Sequence, residues 1–265
     1  MCGRSNRRSI RQRITVGNSQ LNGIGAALCR RFHTEGAVNV IVSDINEAAA
    51  QAVAGDIDGI AVACDVSDEQ QVIALTDYAE RHGAVDLFCS NAGIARPDAR
   101  RGDATSAANA AWEQSWAVNV MAHVYAARAL VPRMAARGGG YFLHTVSAAG
   151  LLSQIGSAPY STTKHAAIGF AENLAIMHRH QGIRVSVLCP QGVDTPMLQA
   201  SSRGAESLDG VLSPEEVAQS VIDGLAAERF LILPHPQVAE YLRRKATDCD
   251  RWLAGMVRLR DTLVS

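Results

Sequence analysis

Three runs decide the architecture: Gly140-Tyr-Phe-Leu-His-Thr-Val146, then Ser157-Ala-Pro-Tyr-Ser-Thr-Thr-Lys-His-Ala-Ala-Ile-Gly-Phe-Ala-Glu-Asn-Leu174, then Ile183-Arg-Val-Ser-Val-Leu188. The first and third are apolar runs of strand length. The middle run has helix length and a helix-entry signal, Ser157-Ala-Pro159, with proline near the first turn. Strand, helix and strand in this order form a crossover unit with parallel strands. Inside the helix, Tyr160 and Lys164 are four residues apart and share a face. An ammonium beside a phenol favours the phenolate, so the Tyr160 pKa is expected to fall from about 10 toward working pH. A phenol tuned in this way exchanges a proton with an alcohol oxygen, and the hydroxyl of Ser147, thirteen residues upstream of Tyr160, is suited to hold that oxygen. The partner reaction is hydride transfer at the same carbon, which requires a nicotinamide.

Working outward, the same alternation repeats. Strands are expected at 38–43, 60–64, 85–90, 140–146, 183–188 and 230–233, several of them near-continuous apolar runs suited to burial on both faces. Helices are expected at 23–34, 47–54, 68–81, 110–136, 157–180 and 214–227, with a long mixed helical pattern over about 236–263. Ser67-Asp-Glu-Gln and Ser213-Pro-Glu-Glu read as helix starts, with a capping residue followed by early acids. Repeated strand–helix order implies an α/β fold: a doubly wound parallel sheet with helices on both faces. No repeat, low-complexity tract or long linker interrupts it, so one domain is expected over 14–235, with 236–265 as its C-terminal helical extension.

At 48% hydrophobic residues the 265-residue chain can bury a large core, and a net charge of −1 supplies no general attraction to nucleic acid or anionic membrane. No apolar run reaches membrane-spanning length. The six cysteines (2, 29, 64, 89, 189 and 249) form no Cys-x-x-Cys and no zinc-type cluster, so no metal site is expected. Cys64, Cys89 and Cys189 end apolar runs and read as buried free thiols in a reducing compartment, the cytoplasm. Arg4, Arg7, Arg8, Arg11 and Arg13 make residues 1–13 a basic segment, read as a disordered, solvated tail rather than a transit peptide because it shows no apolar face.

The cofactor side begins at Gly17-Asn-Ser-Gln-Leu-Asn-Gly23-Ile-Gly25, ahead of the first helix. Glycines here would let backbone approach a pyrophosphate and aim helix N–H groups at it. Nineteen residues after Gly25, Asp44 ends an apolar strand, where its carboxylate can accept hydrogen bonds from adenosine ribose hydroxyls and repel a 2′-phosphate. No Arg or Lys lies between Gly17 and Gly25, so NAD is favoured over NADP.

These residues in this order resemble the short-chain dehydrogenase/reductases over about 14–233. The matching motifs are the glycine loop ending Gly23-Ile24-Gly25, Asp65-Val66, Asn91-Ala92-Gly93, Asn119, Ser147, Tyr160 with Lys164, and Pro190-Gln-Gly-Val193-Asp-Thr195. The resemblance implies a Rossmann-type sheet of about seven strands. It implies that Asp65 and Val66 contact adenine, that Asn91, Ala92 and Gly93 border the cofactor, and that Pro190, Val193 and Thr195 hold the nicotinamide carboxamide. It makes Tyr160 the general acid/base and has Ser147 bind the substrate oxygen. Lys164 would bind the nicotinamide ribose, and Asn119 would maintain a water-linked proton path to Lys164. A small-molecule alcohol or ketone is the expected substrate. Its pocket is expected among 95–105, 148–158 and 196–212, with Leu151, Leu152, Ile155, Met197 and Leu198 making it largely apolar. The alanine-rich helices over 110–136 and 157–180 are expected to pack across subunits of a homodimer or homotetramer.

The chain departs from the family pattern at three points. Five residues separate Gly17 from Gly23 where the family has three, and Gln191 stands between Pro190 and Gly192. The first strand region, Arg11-Gln-Arg-Ile-Thr-Val16, is polar, so the strand either starts at Ile14 or the N-terminus is unusual. These departures carry a second reading, a non-catalytic or impaired nucleotide-binding protein. An NADP-dependent reductase is the alternative within the enzymatic reading.

Overall fold

The computed structural model describes residues 14–18, 23–100, 102–200 and 204–264. Among them, seven strands form one sheet in the order β3-β2-β1-β4-β5-β6-β7: β1 (Ile14–Asn18), β2 (Asn39–Asp44), β3 (Ile60–Ala63), β4 (Val85–Ser90), β5 (Gly140–Thr145), β6 (Ile183–Leu188) and β7 (Leu231–Ile232). Every pairing is parallel. The chain runs outward from β1 to β3, then crosses back to β4 on the other side of β1, so the topological switch point lies between β1 and β4. Within the described residues the first strand runs Ile14–Asn18; residues 1–13, on which the expected basic tail and the polar stretch Arg11–Arg13 fall, lie outside them. Thr15 faces Val40 on one side and Leu87 on the other, with a register shift against β4 between Ile14 and Thr15.

Ten α-helices connect the strands within the described residues: α1 (Ile24–Thr34), α2 (Glu47–Gly55), α3 (Glu69–Arg81), α4 (Asn109–Trp116), α5 (Ala122–Ala136), α6 (Ala158–His178), α7 (Pro196–Gln199), α8 (Pro214–Ala226), α9 (Gln237–Thr247) and α10 (Cys249–Val264). Strand side chains alternate between the two faces, so β5 sends Tyr141 and Leu143 toward α1, α2 and α8, and Phe142 toward α3, α5 and α6. Both faces of the central strands are therefore apolar, which explains the near-continuous hydrophobic runs at β2, β4 and β6. The edge strand β3 is only half-buried, and β7 is reduced to two residues of the expected four.

Two helix expectations need correction. The run 110–136 is not one α-helix. It widens into a π-helical turn at Ala117–Met121, between α4 and α5. Such insertions frequently mark functional sites, and this one contains Asn119. The tail is likewise two helices, because Asp248 adopts an extended conformation (φ −153°, ψ 91°) and its side chain accepts from Arg251 N at 3.0 Å, opening α10. The expected start at Ser213 is a full capping box with Glu216, whereas α3 is capped by Asp68 rather than Ser67.

Candidate active site

The loops after β4, β5 and β6 meet the first turns of α6 at the carboxyl ends of the strands, and this is where the expected catalytic residues gather. Asn119 is fully buried in the π turn. Its Nδ2 donates to the Ile94 carbonyl (2.9 Å) and to Thr163 Oγ1 (3.1 Å), and its Oδ1 accepts from Ile94 N (2.9 Å). One side chain thereby ties the loop after β4 to the catalytic helix. Gly93 lies inside this junction, where an added Cβ would stand 3.2 Å from Lys164 Nζ and 3.4 Å from Asn119 Oδ1. The contact requires the missing side chain.

Lys164 is 3% exposed, and its Nζ donates to the Thr145 carbonyl at 3.3 Å. Burial lowers its pKa to about 8, since the ammonium loses hydration. The Nζ lies 5.5 Å from the centre of the Tyr160 ring. Ser147 follows β5, its Oγ accepts from Ala149 N (3.1 Å) and donates to the Pro190 carbonyl (3.4 Å), and its hydroxyl favours the Tyr160 phenolate. Ser147, Tyr160, Lys164 and Asn119 thus form one connected constellation. The expected fall of the Tyr160 pKa is not what this geometry gives. Desolvation of the phenolate is the largest effect and raises the pKa, while the Ser147 hydrogen bond lowers it. Helical spacing predicted the neighbour but not the loss of water around the phenol.

On the cofactor side, Gly17 lies within β1, paired with Val42 and Cys89, rather than in the loop where it was expected. Residues 19–22 of that loop lie outside the described residues. Gly23 caps α1 with no side-chain hydrogen bond, so among the described residues no capping side chain takes the first-turn N–H groups at Ile24 and Gly25, the kind of terminus that suits an anion. Asp44 ends β2 and accepts from Asn46 N (2.8 Å), while Asn46 itself caps α2. Asp65 accepts from Ser67 N and Oγ (2.9 and 2.7 Å), and Val66 packs on the core beside it. Asn91 and Ala92 follow β4, half-buried. Pro190 and Val193 are buried after β6, and Thr195 caps α7. Apart from Gly17 inside β1, these residues lie at the carboxyl ends of strands β1 to β4 and β6 or just after them, where dinucleotides bind in doubly wound sheets. The open α1 terminus, the uncovered Gly93 and the buried Lys164 fit a nicotinamide dinucleotide. Among the described residues no group of three or more His, Cys, Asp or Glu could hold a metal ion. No described helix is long and apolar enough to cross a membrane.

Leu151 and Met197 are half-buried on the loops after β5 and β6. Sequence reading missed what holds those loops. Lys245 of α9 donates from Nζ to the Leu151 and Leu152 carbonyls (both 2.8 Å) and lies 5.0 Å from the Trp252 ring centre. One helical turn earlier, Tyr241 donates to Asp209 Oδ1 at 2.9 Å. Gln154 Nε2 donates to Glu206 Oε2 across the two loops at 3.1 Å. No local pattern signals contacts between residues 32 to 94 positions apart.

The comparisons agree with the geometry. The sequence model of the short chain dehydrogenase family matches residues 14–206. The 1-deoxy-11-beta-hydroxypentalenate dehydrogenase of Streptomyces exfoliatus is 35% identical, over 90% of this chain and 89% of that protein. The sex determination protein tasselseed-2 of Zea mays is 32% identical, over 92% and 78%. Among solved structures, a short chain dehydrogenase/reductase from Burkholderia phymatum in complex with NAD superposes with a TM-score of 0.80 at 25% identity, covering 91% of this chain and 95% of that one. With the family match covering most of the sheet and the constellation around Tyr160 assembled in space, the chain belongs to the short-chain dehydrogenase/reductase family of oxidoreductases, acting on CH–OH groups.

Proposed function

We propose that the protein interconverts a secondary alcohol and a ketone on a largely apolar, cyclic skeleton, using NAD in preference to NADP. The observation that carries this reading is the buried Lys164 ammonium 5.5 Å from the Tyr160 ring, with Ser147 acting on the same phenol. When bound, the nicotinamide supplies or accepts the hydride. Ser147 donates a hydrogen bond to the substrate oxygen. Tyr160 gives that oxygen a proton in reduction and takes it in oxidation. Lys164, charged below about pH 8, places positive charge beside the phenol and offers N–H donors to the ribose. Asn119 acts through the backbone it holds. Its side chain is fully committed to Ile94 and Thr163, so its support for a water-linked proton path rests on the position of the π turn.

The preference for NAD rests on Asp44 at the end of β2 and on the lack of Arg or Lys in the glycine loop. Leu151 and Met197 support an apolar substrate, as does a relative named for a hydroxypentalenate. Ile176 and Met177, 73% and 56% exposed on α6, support assembly into a homodimer or homotetramer. Buried free thiols at Cys29, Cys64, Cys89 and Cys189 suit a reducing compartment such as the cytoplasm.

Titration of the purified protein with NADH and NADPH, followed by a screen of cyclic alcohols for NAD reduction, tests the reading. Saturable preference for NADH with turnover of a secondary alcohol is expected. Tyr160→Phe should lower kcat by about a hundredfold or more, and a variant that kept normal turnover would overturn the assignment of the acid/base.

A further inference from the structure

One carboxylate enters the cleft formed by the loops after β5 and β6. Glu206 sits half-buried in the 3-10 turn Ala205–Ser207. Its Oε2 accepts from Gln154 Nε2 at 3.1 Å, its Oε1 accepts from Gly204 N at 2.9 Å, and its backbone carbonyl accepts from Gly192 N at 2.7 Å. A Cβ on Gly192 would stand 2.8 Å from that carbonyl oxygen, so this turn is pressed against the Pro190–Thr195 segment. The side chain is thereby anchored to the wall that follows Ser147 and the backbone to the wall that follows β6.

Tyr160 is faced by Ser147 from the loop after β5 and by Lys164 from its own helix, while Cys189 at the end of β6 and Glu206 in the turn beyond α7 act on it only through charge, as smaller effects than its desolvation. Negative charge at Cys189 or Glu206 would raise the proton affinity of the phenol. The Cys189 thiol is pushed up to about 12 by burial, so it is neutral at working pH and Glu206 is the anion that remains. The Glu206 charge disfavours the phenolate, and the carboxylate is neither the donor nor the acceptor of the proton transferred above. Its partner Gln154 is an uncharged donor, which a substrate donor could replace.

Resting on the reading of this cleft as the substrate site, we propose that Glu206 is a specificity-determining residue. Its carboxylate exchanges the Gln154 amide for a hydroxyl or N–H of the substrate. The cleft thereby selects alcohols carrying a second hydrogen-bond donor and rejects those carrying a carboxylate near the reacting carbon. The repulsion between two carboxylates in a partly desolvated cleft is the selecting force, and the gain of a charge-assisted hydrogen bond is its counterpart.

The experiment compares the wild-type protein with E206Q, which removes the charge and keeps one amide oxygen to accept from Gln154 or Gly204. The probes are cyclohexanol, a cyclohexanediol and a hydroxycyclohexanecarboxylate, with kcat/KM measured for each. Wild type should favour the diol over the carboxylate by about tenfold or more, and E206Q should shrink that ratio by about tenfold. A wild-type preference for the carboxylate, or a ratio unchanged in E206Q, overturns the proposal. A second readout needs no turnover: the phenolate absorbance of Tyr160, isolated by subtracting the spectrum of Y160F, titrated in wild type and E206Q. The midpoint should fall by about half a unit or more in E206Q. If neither protein oxidises any of the three alcohols, the secondary-alcohol reading fails on its own. The titration then decides the placement of Glu206, and an unmoved midpoint overturns it.

Discussion

The Nδ1 atoms of His123, on α5, and His144, on β5, lie 2.9 Å apart, and both rings are buried to within 1% of full exclusion from solvent. One nitrogen of this pair must carry the hydrogen and the other must accept it, and the loss of hydration on burial favours the neutral form of both rings. Desolvation lowers the pKa of both, that of His144 to about 3. Each folded pKa thus lies below the unfolded value of about 6.5, and in the interval between them the unfolded chain binds more protons than the folded one. Stability should therefore fall as pH drops below about 6.5, by about 1.4 kcal/mol per pH unit for each histidine. Urea midpoints between neutral and mildly acidic pH measure this, and the double variant His123→Phe/His144→Phe should flatten the dependence.

Asn119→Ala should destabilise the fold and lower activity together. It removes three hydrogen bonds and leaves the part-buried N–H and carbonyl of Ile94 without their partner, at a cost of about 2–4 kcal/mol. Denaturant unfolding gives the stability loss. Cofactor titration should show weaker binding, because the loop carrying Gly93 is no longer tied to α6.

Lys245→Met should act on substrate binding more than on chemistry. The ammonium holds the Leu151 and Leu152 carbonyls from α9, and the turn beginning at Ser147 leads directly into this segment. Loss of these charge-assisted bonds should destabilise the segment by about 1–3 kcal/mol and raise KM for the alcohol several-fold, with NADH affinity unchanged. Faster hydrogen exchange over 148–156 is the accompanying signature, and Lys245→Arg should restore most of the protection.

Asp44→Ala should improve the use of NADPH relative to NADH by about tenfold, since it removes the carboxylate that would face a 2′-phosphate. Binding titrations with the two reduced cofactors read the ratio. Loss of affinity for both in equal measure would instead assign Asp44 to the Asn46 turn alone.

Much of the sheet was legible because its strands are buried on both faces. Val40, Ile41 and Val42, or Leu87, Phe88 and Cys89, must all be apolar, and an unbroken run of that kind is visible without knowing its neighbours. The π turn around Asn119 was not legible, since its residues carry no pattern distinct from α-helix and the extra residue is accommodated by packing on α6.

The sequence by itself determined the alternation of strands and helices, the family and the residues that meet at the reaction centre. These depend on periodicities of two and 3.6 residues and on short motifs whose members lie close in the chain. Tertiary structure alone decided the proton affinities and the tethers of the cleft. The direction of the Tyr160 shift depends on how much water the folded chain removes, and desolvation outweighs the lowering by Ser147. The pairing of His123 with His144, the hold of Lys245 on Leu151 and the reach of Gln154 to Glu206 join residues far apart in sequence. Each contact depends on the orientation of whole elements packed on the sheet, and that orientation is set by the summed burial of the core rather than by any local run of residues.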